Sequence, residues 1–173
     1  MHGSARAYTG WIKDLEAGPS GRETRVYGPS EIDDYDMKQC DAPITEAIAA
    51  QPALPELDAA AGRYLQALKA LVPVSHEAHD YYERQDYEDD QFAKGKQLHA
   101  PLMAAFKAFA GASETFNVEL ERQNDAAQRE HLKALEQAEG RTREYYRLAM
   151  MLEAKAIMDL MGCLLYTSDA ADE

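Results

Sequence analysis

Apolar residues in this chain recur three and four apart over long stretches, the spacing that gathers them on one face of an α-helix. One seam runs from Leu57 through Ala61, Tyr64, Leu68, Leu71 and Ala78 to Tyr82. A second carries Leu98, Leu102, Ala105, Phe109, Ala112 and Phe116, then Leu120, Leu132 and Leu135; a third carries Tyr145, Leu148, Leu152, Ala156 and Leu160. Four helices are expected. The first starts at Ser30, an N-cap followed by Glu31, Asp33 and Asp34, and runs to about Ala50 with a kink or break near Pro43. The second opens at Pro55, where proline removes no helical hydrogen bond, and bends at Pro73. The third begins at Asp89 or Asp90, continues for about forty-five residues past a kink near Pro101, and ends at Gly140. The fourth returns from Arg141 to Gly162.

Residues 1–30 read differently. Gly10, Gly18, Pro19, Gly21, Gly28 and Pro29 break any continuous element, so an irregular arm is expected, with a short helix around Arg6 to Leu15. Strands have little to draw on, since four valines and five isoleucines are few β-branched aliphatics for 173 residues. The fold class is all-α: an antiparallel bundle of three to four long helices over residues 31–162, behind a Gly/Pro-rich N-terminal arm.

Charge narrows the partners. With 31 acidic against 18 basic residues the formal net charge is −13, and that field repels phosphate backbones and anionic membranes, so no nucleic-acid partner is expected. No run approaches the roughly 18 apolar residues of a spanning helix, so no transmembrane segment is expected.

Two clusters could carry chemistry. Asp86, Glu88, Asp89 and Asp90 place several carboxylates on one turn, the raw material of a divalent-cation site. Their spacing does not fit a calcium loop begun at Asp86, because Gln91 and Gln97 stand where glycine and a twelfth-position acid belong. Capping of the third helix by Asp89 and Asp90, with Lys94 paired to Asp90, is the simpler account. His76, His79, Asp80 and Glu83 share a helix face, and His79 with Glu83 could extend the acidic segment into a metal or small-ligand site. The pattern lacks the spacing of a zinc-protease helix. Met150, Met151, Met158 and Met161 on the fourth helix could form an adaptable partner-binding face, but filling a core seam is the more common use of methionine. Cys40 has no nearby basic residue beyond Lys38 and no convincing histidine partner that would make it a nucleophile. With no complete catalytic constellation, the chain is expected not to be an enzyme and to need no cofactor.

The run Tyr81-Tyr82, Asp86-Tyr87, Asp89-Asp90, Phe92-Ala93-Lys94-Gly95-Lys96 and Leu98-His99 resembles the signature of the YiiG-like family of bacterial lipoprotein-like proteins. Trp11, Gly18-Pro19, Gly21, Val26-Tyr27-Gly28, Pro52 to Asp58 and Tyr64 fall in the order found there. The resemblance covers most of residues 6–162. It implies a helical domain of the cell envelope or periplasm, usually behind a lipoprotein signal, and implies no activity. The leading expectation is a non-catalytic interaction or structural module with a protein partner; the alternative is a divalent-metal or small-ligand binder using residues 86–90.

Both ends invite a further expectation. Residues 163–173, CLLYTSDAADE, resemble the translation of an adaptor used in preparing sequencing libraries and are read as a non-native tail, the helical domain being truncated there. Met1 is followed by neither a charged nor an apolar signal region, so a lipid tether would belong to sequence preceding this start.

Overall fold

The computed structural model describes the backbone of residues 2–169 and the side chains of residues 3–161. Six helices and no strand occur among the described residues: α1 His2–Thr9, α2 Asp34–Ala49, α3 Pro55–Glu83, α4 Tyr87–Asp90, α5 Ala93–Glu139 and α6 Arg143–Asp169. No described helix is long and apolar enough to cross a membrane. The chain forms two compact units, residues 1–119 and residues 120–173.

In the first unit α3 and the early part of α5 are antiparallel. Tyr64, near the start of α3, stacks against Phe109 and Phe116, while Tyr81 and Tyr82 at its end lie against Gly95 near the start of α5. The apolar seams do what their spacing implies: Leu68, Leu71, Ala78, Tyr82, Leu98, Leu102 and Phe109 are all buried in one cluster. Phe106, a position the seam did not include, joins them one turn after Leu102. α2 packs on α3, with Lys69 and Asp41 paired at 2.7 Å across the two. Pro55 occupies the first turn of α3, and both Pro43 and Pro73 are accommodated inside continuous helices.

Several boundaries differ from expectation. The arm helix lies at His2–Thr9 and not around Arg6 to Leu15. Asp14 prevents a helix there, because its carboxylate accepts from the Glu16 and Ala17 N–H groups and folds the chain into a turn. The N-cap of α2 is Asp33, whose side chain accepts from Asp36 N at 2.8 Å; the N–H of Ser30 instead donates to Ser4 Oγ. The third helix does not start at Asp89 or Asp90. α4 is a single turn, Gln91 and Phe92 take left-handed φ values of 53° and 63°, and only then does α5 begin.

The second unit is a helical hairpin. Gly140, at φ 72°, ends α5, and Thr142 Oγ1 then accepts from Tyr145 N as α6 begins. The return is antiparallel: Lys155 Nζ lies 2.6 Å from Asp125 Oδ1, and Tyr145 shares a cleft with Ala126 and Leu132. Tyr145, Leu148, Leu152 and Ala156 are half-buried, but Leu160 is 67% exposed and Leu120 45%. The α6 methionines fill no core. Met150, Met151, Met158 and Met161 are all more than half exposed, because α6 is apolar on two sides and its hairpin partner can cover one. α6 also passes Gly162, since a single glycine lowers helix propensity by only about 1 kcal/mol. The expected non-native tail, residues 163–173, lies outside the residues whose side chains are described.

Candidate functional site

The dense motif of residues 81–99 forms the turn between α3 and α5. Three non-glycine residues in this turn, Gln85, Gln91 and Phe92, hold positive φ, a conformation that costs an L-residue roughly 1–2 kcal/mol and persists only where packing imposes it. Asp90 supplies part of that imposition. Its Oδ1 accepts from the Tyr81 hydroxyl at 2.8 Å and its Oδ2 from Lys94 N at 2.8 Å, so one carboxylate ties the end of α3 to the first turn of α5. The Lys94 N–H, aided by the Tyr81 hydroxyl, holds the Asp90 carboxyl below its ordinary range. Gly95 completes the closure: a Cβ there would stand 2.9 Å from Tyr82 Oη and 3.2 Å from Tyr81 Cε1, so α5 approaches the two tyrosines only without a side chain.

The N-terminal arm lies on this turn. Tyr8 is fully buried, with its ring 5.7 Å from Tyr82 and 5.8 Å from His99. Trp11 packs edge-on to Tyr8 and Tyr82, and its indole N–H donates to the Tyr27 carbonyl at 2.7 Å. His99 is the fastening. Its Nε2 lies 2.8 Å from the Leu15 carbonyl and its Nδ1 3.0 Å from Tyr8 Oη. A carbonyl only accepts, so Nε2 carries the hydrogen, and in the neutral ring Nδ1 accepts from the tyrosine hydroxyl. Gly18, at φ 79°, passes over the imidazole where a Cβ would fall 2.9 Å from the ring. Further along, His79 Nδ1 donates to the Pro29 carbonyl at 2.9 Å.

Burial governs the electrostatics. It raises the Tyr8 phenol above its ordinary value, and raises Tyr81 and Tyr82 much further, with Asp90 adding to the first and the neighbouring Tyr8 hydroxyl to the second. The Tyr82 hydroxyl is buried beside Tyr8 without a hydrogen bond of good geometry. These phenols stay protonated at neutral pH.

The residues proposed as a cation or ligand site do not converge. Asp90 is committed to Tyr81 and Lys94, and His79 to the arm, while Glu83, Glu88 and Asp89 are exposed and Asp86 is half-buried. Among the described residues no three His, Cys, Asp or Glu side chains stand together as a metal-holding group. Of the two expected caps, Asp90 serves α5; Lys94 Nζ pairs with Glu77 on α3 at 3.0 Å. His76 is exposed on the same helix.

Two clefts border the N-terminal arm. One, of about 440 Å³, is bounded by Ser4, Ser30, Ile32, Met37, Cys40 and Leu68, with Glu31 and Asp36 also in its wall. The other, an open depression, lies between Gly21 and Arg22 of the arm and Tyr87, Phe92 and Lys96 of the motif. Neither lining holds a nucleophile beside a histidine base. The hydrogen bonds of His99 and His79 and the ring contacts of Tyr8 and Trp11 fix the arm to the turn. Sequence reasoning missed Tyr8 as the centre of this contact, since a lone tyrosine in a glycine-rich arm carries no periodic signal.

A family model described as "Protein of unknown function (DUF3829)" matches residues 1–170. The chain is 36% identical over 168 residues to "Uncharacterized protein YiiG" of Escherichia coli (strain K12), covering 97% of this chain and 48% of that protein. It thus spans about half the length of this curated relative. No solved structure matches. The residues on which the YiiG resemblance rests are one another's packing partners: Trp11, Gly18, Gly21 and Gly28 of the arm meet Tyr82, Phe92 and His99 of the motif.

Proposed function

The chain belongs to the DUF3829 family of YiiG-like proteins, and on that premise we propose that it is a non-catalytic helical module of the bacterial cell envelope, serving a protein partner as an interaction or structural element. One observation carries the non-catalytic part. Tyr81, Tyr82, Asp90 and His99, the motif side chains best suited to acid–base or ligand chemistry, are turned onto one another and onto the arm. The envelope part rests on the YiiG resemblance.

Tagging the protein in its native host and fractionating cells tests the location. Recovery with envelope markers is expected; recovery with cytoplasmic markers removes the envelope from the proposal. Tyr81→Phe and His99→Gln test the role of the motif. If it is structural, cellular function should decline in step with thermal stability. A variant that melts like the parent yet has no function would make the motif chemically active. Calorimetry with calcium and with zinc should show no heat, and saturable binding of either would favour the cation reading of residues 86–90.

A further inference from the structure

α6 carries a second apolar face, and we infer that it is the seat of a second copy of this chain. Tyr146, Met150, Ile157 and Met161 fall within a narrow arc at about 100° per residue, with Met158 and Leu160 on either side of it, and all six are between 55% and 67% exposed. Tyr145, Leu148 and Leu152, which face the α5 limb of the hairpin, lie on the opposite side of α6. The six exposed side chains present on the order of 700 Å² of mostly apolar surface, close to the roughly 800 Å² that each partner gives to a standard interface and beyond the few hundred Å² usual for a solvated patch.

Charge selects the partner and its direction. Residues 120–173 hold 11 acidic and 7 basic side chains, whereas residues 1–119 hold 20 and 11, so two copies meet through the hairpin with less repulsion than through the first unit. The first half of α6 bears Arg143, Glu144 and Arg147, with Arg147 paired to Glu144; the second bears Glu153, Lys155 and Asp159, with Lys155 held by Asp125 and close to Asp159. An antiparallel pairing sets the half with a one-base excess on one helix against the half with a one-acid excess on the other. That arrangement is the one a twofold axis generates, and a face that contacts itself closes as a dimer. The inference goes beyond the proposed function, because pairing does not depend on where the chain resides.

Sedimentation equilibrium on the full chain from micromolar to millimolar concentration, under reducing conditions that exclude a Cys40 or Cys163 disulfide, is the test. A monomer–dimer equilibrium is expected for the parent. The double variant Met150→Glu, Ile157→Glu should weaken it at least tenfold with helical circular dichroism unchanged, since the inward face is untouched. Peroxide oxidation locates the interface independently: Met150, Met158 and Met161 should oxidise more slowly at concentrations where dimer dominates, with Met37 and Met103 as unchanged references. A parent monomeric throughout, a dimer indifferent to the double variant, or α6 methionines that oxidise equally fast at all concentrations would overturn the inference.

Discussion

Residues 1–119 and residues 120–161 are made of the same kind of amphipathic helix, yet every buried side chain among the described residues lies in the first. The difference is the number of faces each helix must cover against the number of partners it has. In the first unit α3 is flanked by α2, by α5 and by the arm, so Leu68, Leu71 and Ala78 are enclosed from several sides. In the second, two helices can offer each other one face apiece, and half-burial is the most a hairpin provides. Helical periodicity is therefore a local property, and a core is a property of how many layers close over it.

The sharpest way to break this contrast is to truncate one leucine in each unit. Leu71→Ala should lose about 2–5 kcal/mol, the range for a fully enclosed leucine, and Leu152→Ala clearly less, because surrounding chain and solvent can fill the space. Hydrogen exchange resolves the units separately; equal losses at the two positions would mean that the hairpin hides a core of its own.

A second lever acts on the first unit through pH. Tyr8, Tyr81 and Tyr82 have pKa values raised above 10.0, so above that pH an unfolded chain releases three protons that the folded one retains. The unfolded state then binds fewer protons, and stability falls as pH rises, by up to about 1.4 kcal/mol per pH unit for each phenol kept protonated. Denaturant melts between about pH 9 and pH 11 should show this decline, and a flat profile would mean that the tyrosines are open to solvent.

The smallest effect isolates the arm. Tyr8→Phe removes the hydroxyl that satisfies His99 Nδ1 and should lower stability by about 1–2 kcal/mol. Trp11, the single tryptophan, sits beside Tyr8 and reports arm docking by its fluorescence. Its transition should move to lower denaturant in this variant, and an unmoved transition would show that the hydrogen bond adds nothing to docking.

How far the sequence foretold this structure depended on the range of the interactions. The seams from Leu68 to Tyr82 and from Leu98 to Phe109, the opening at Pro55 and the stop at Gly140 were legible because each is set within a few residues. The break at Gln91 and Phe92 was not, since neither is a residue that favours left-handed backbone and the strain is imposed by Tyr81, Asp90 and Trp11. The exposed side of α6 was legible only as the less common of two readings of its methionines, because an apolar position does not say which partner is available to cover it. The motif was visible as a run of unusual residues, while its purpose lay in Tyr8 and Leu15, far back in the chain.

That distance has a consequence for synthesis. Tyr8 leaves the ribosome 91 residues before His99, a delay of roughly 5–20 s at ordinary elongation rates of about 5–20 residues per second. Throughout that interval Tyr8 and Trp11 have no surface to join and are open to any chaperone that passes. The arm thus waits for the turn that holds it, and can take its place only after residues 81–99 have been made.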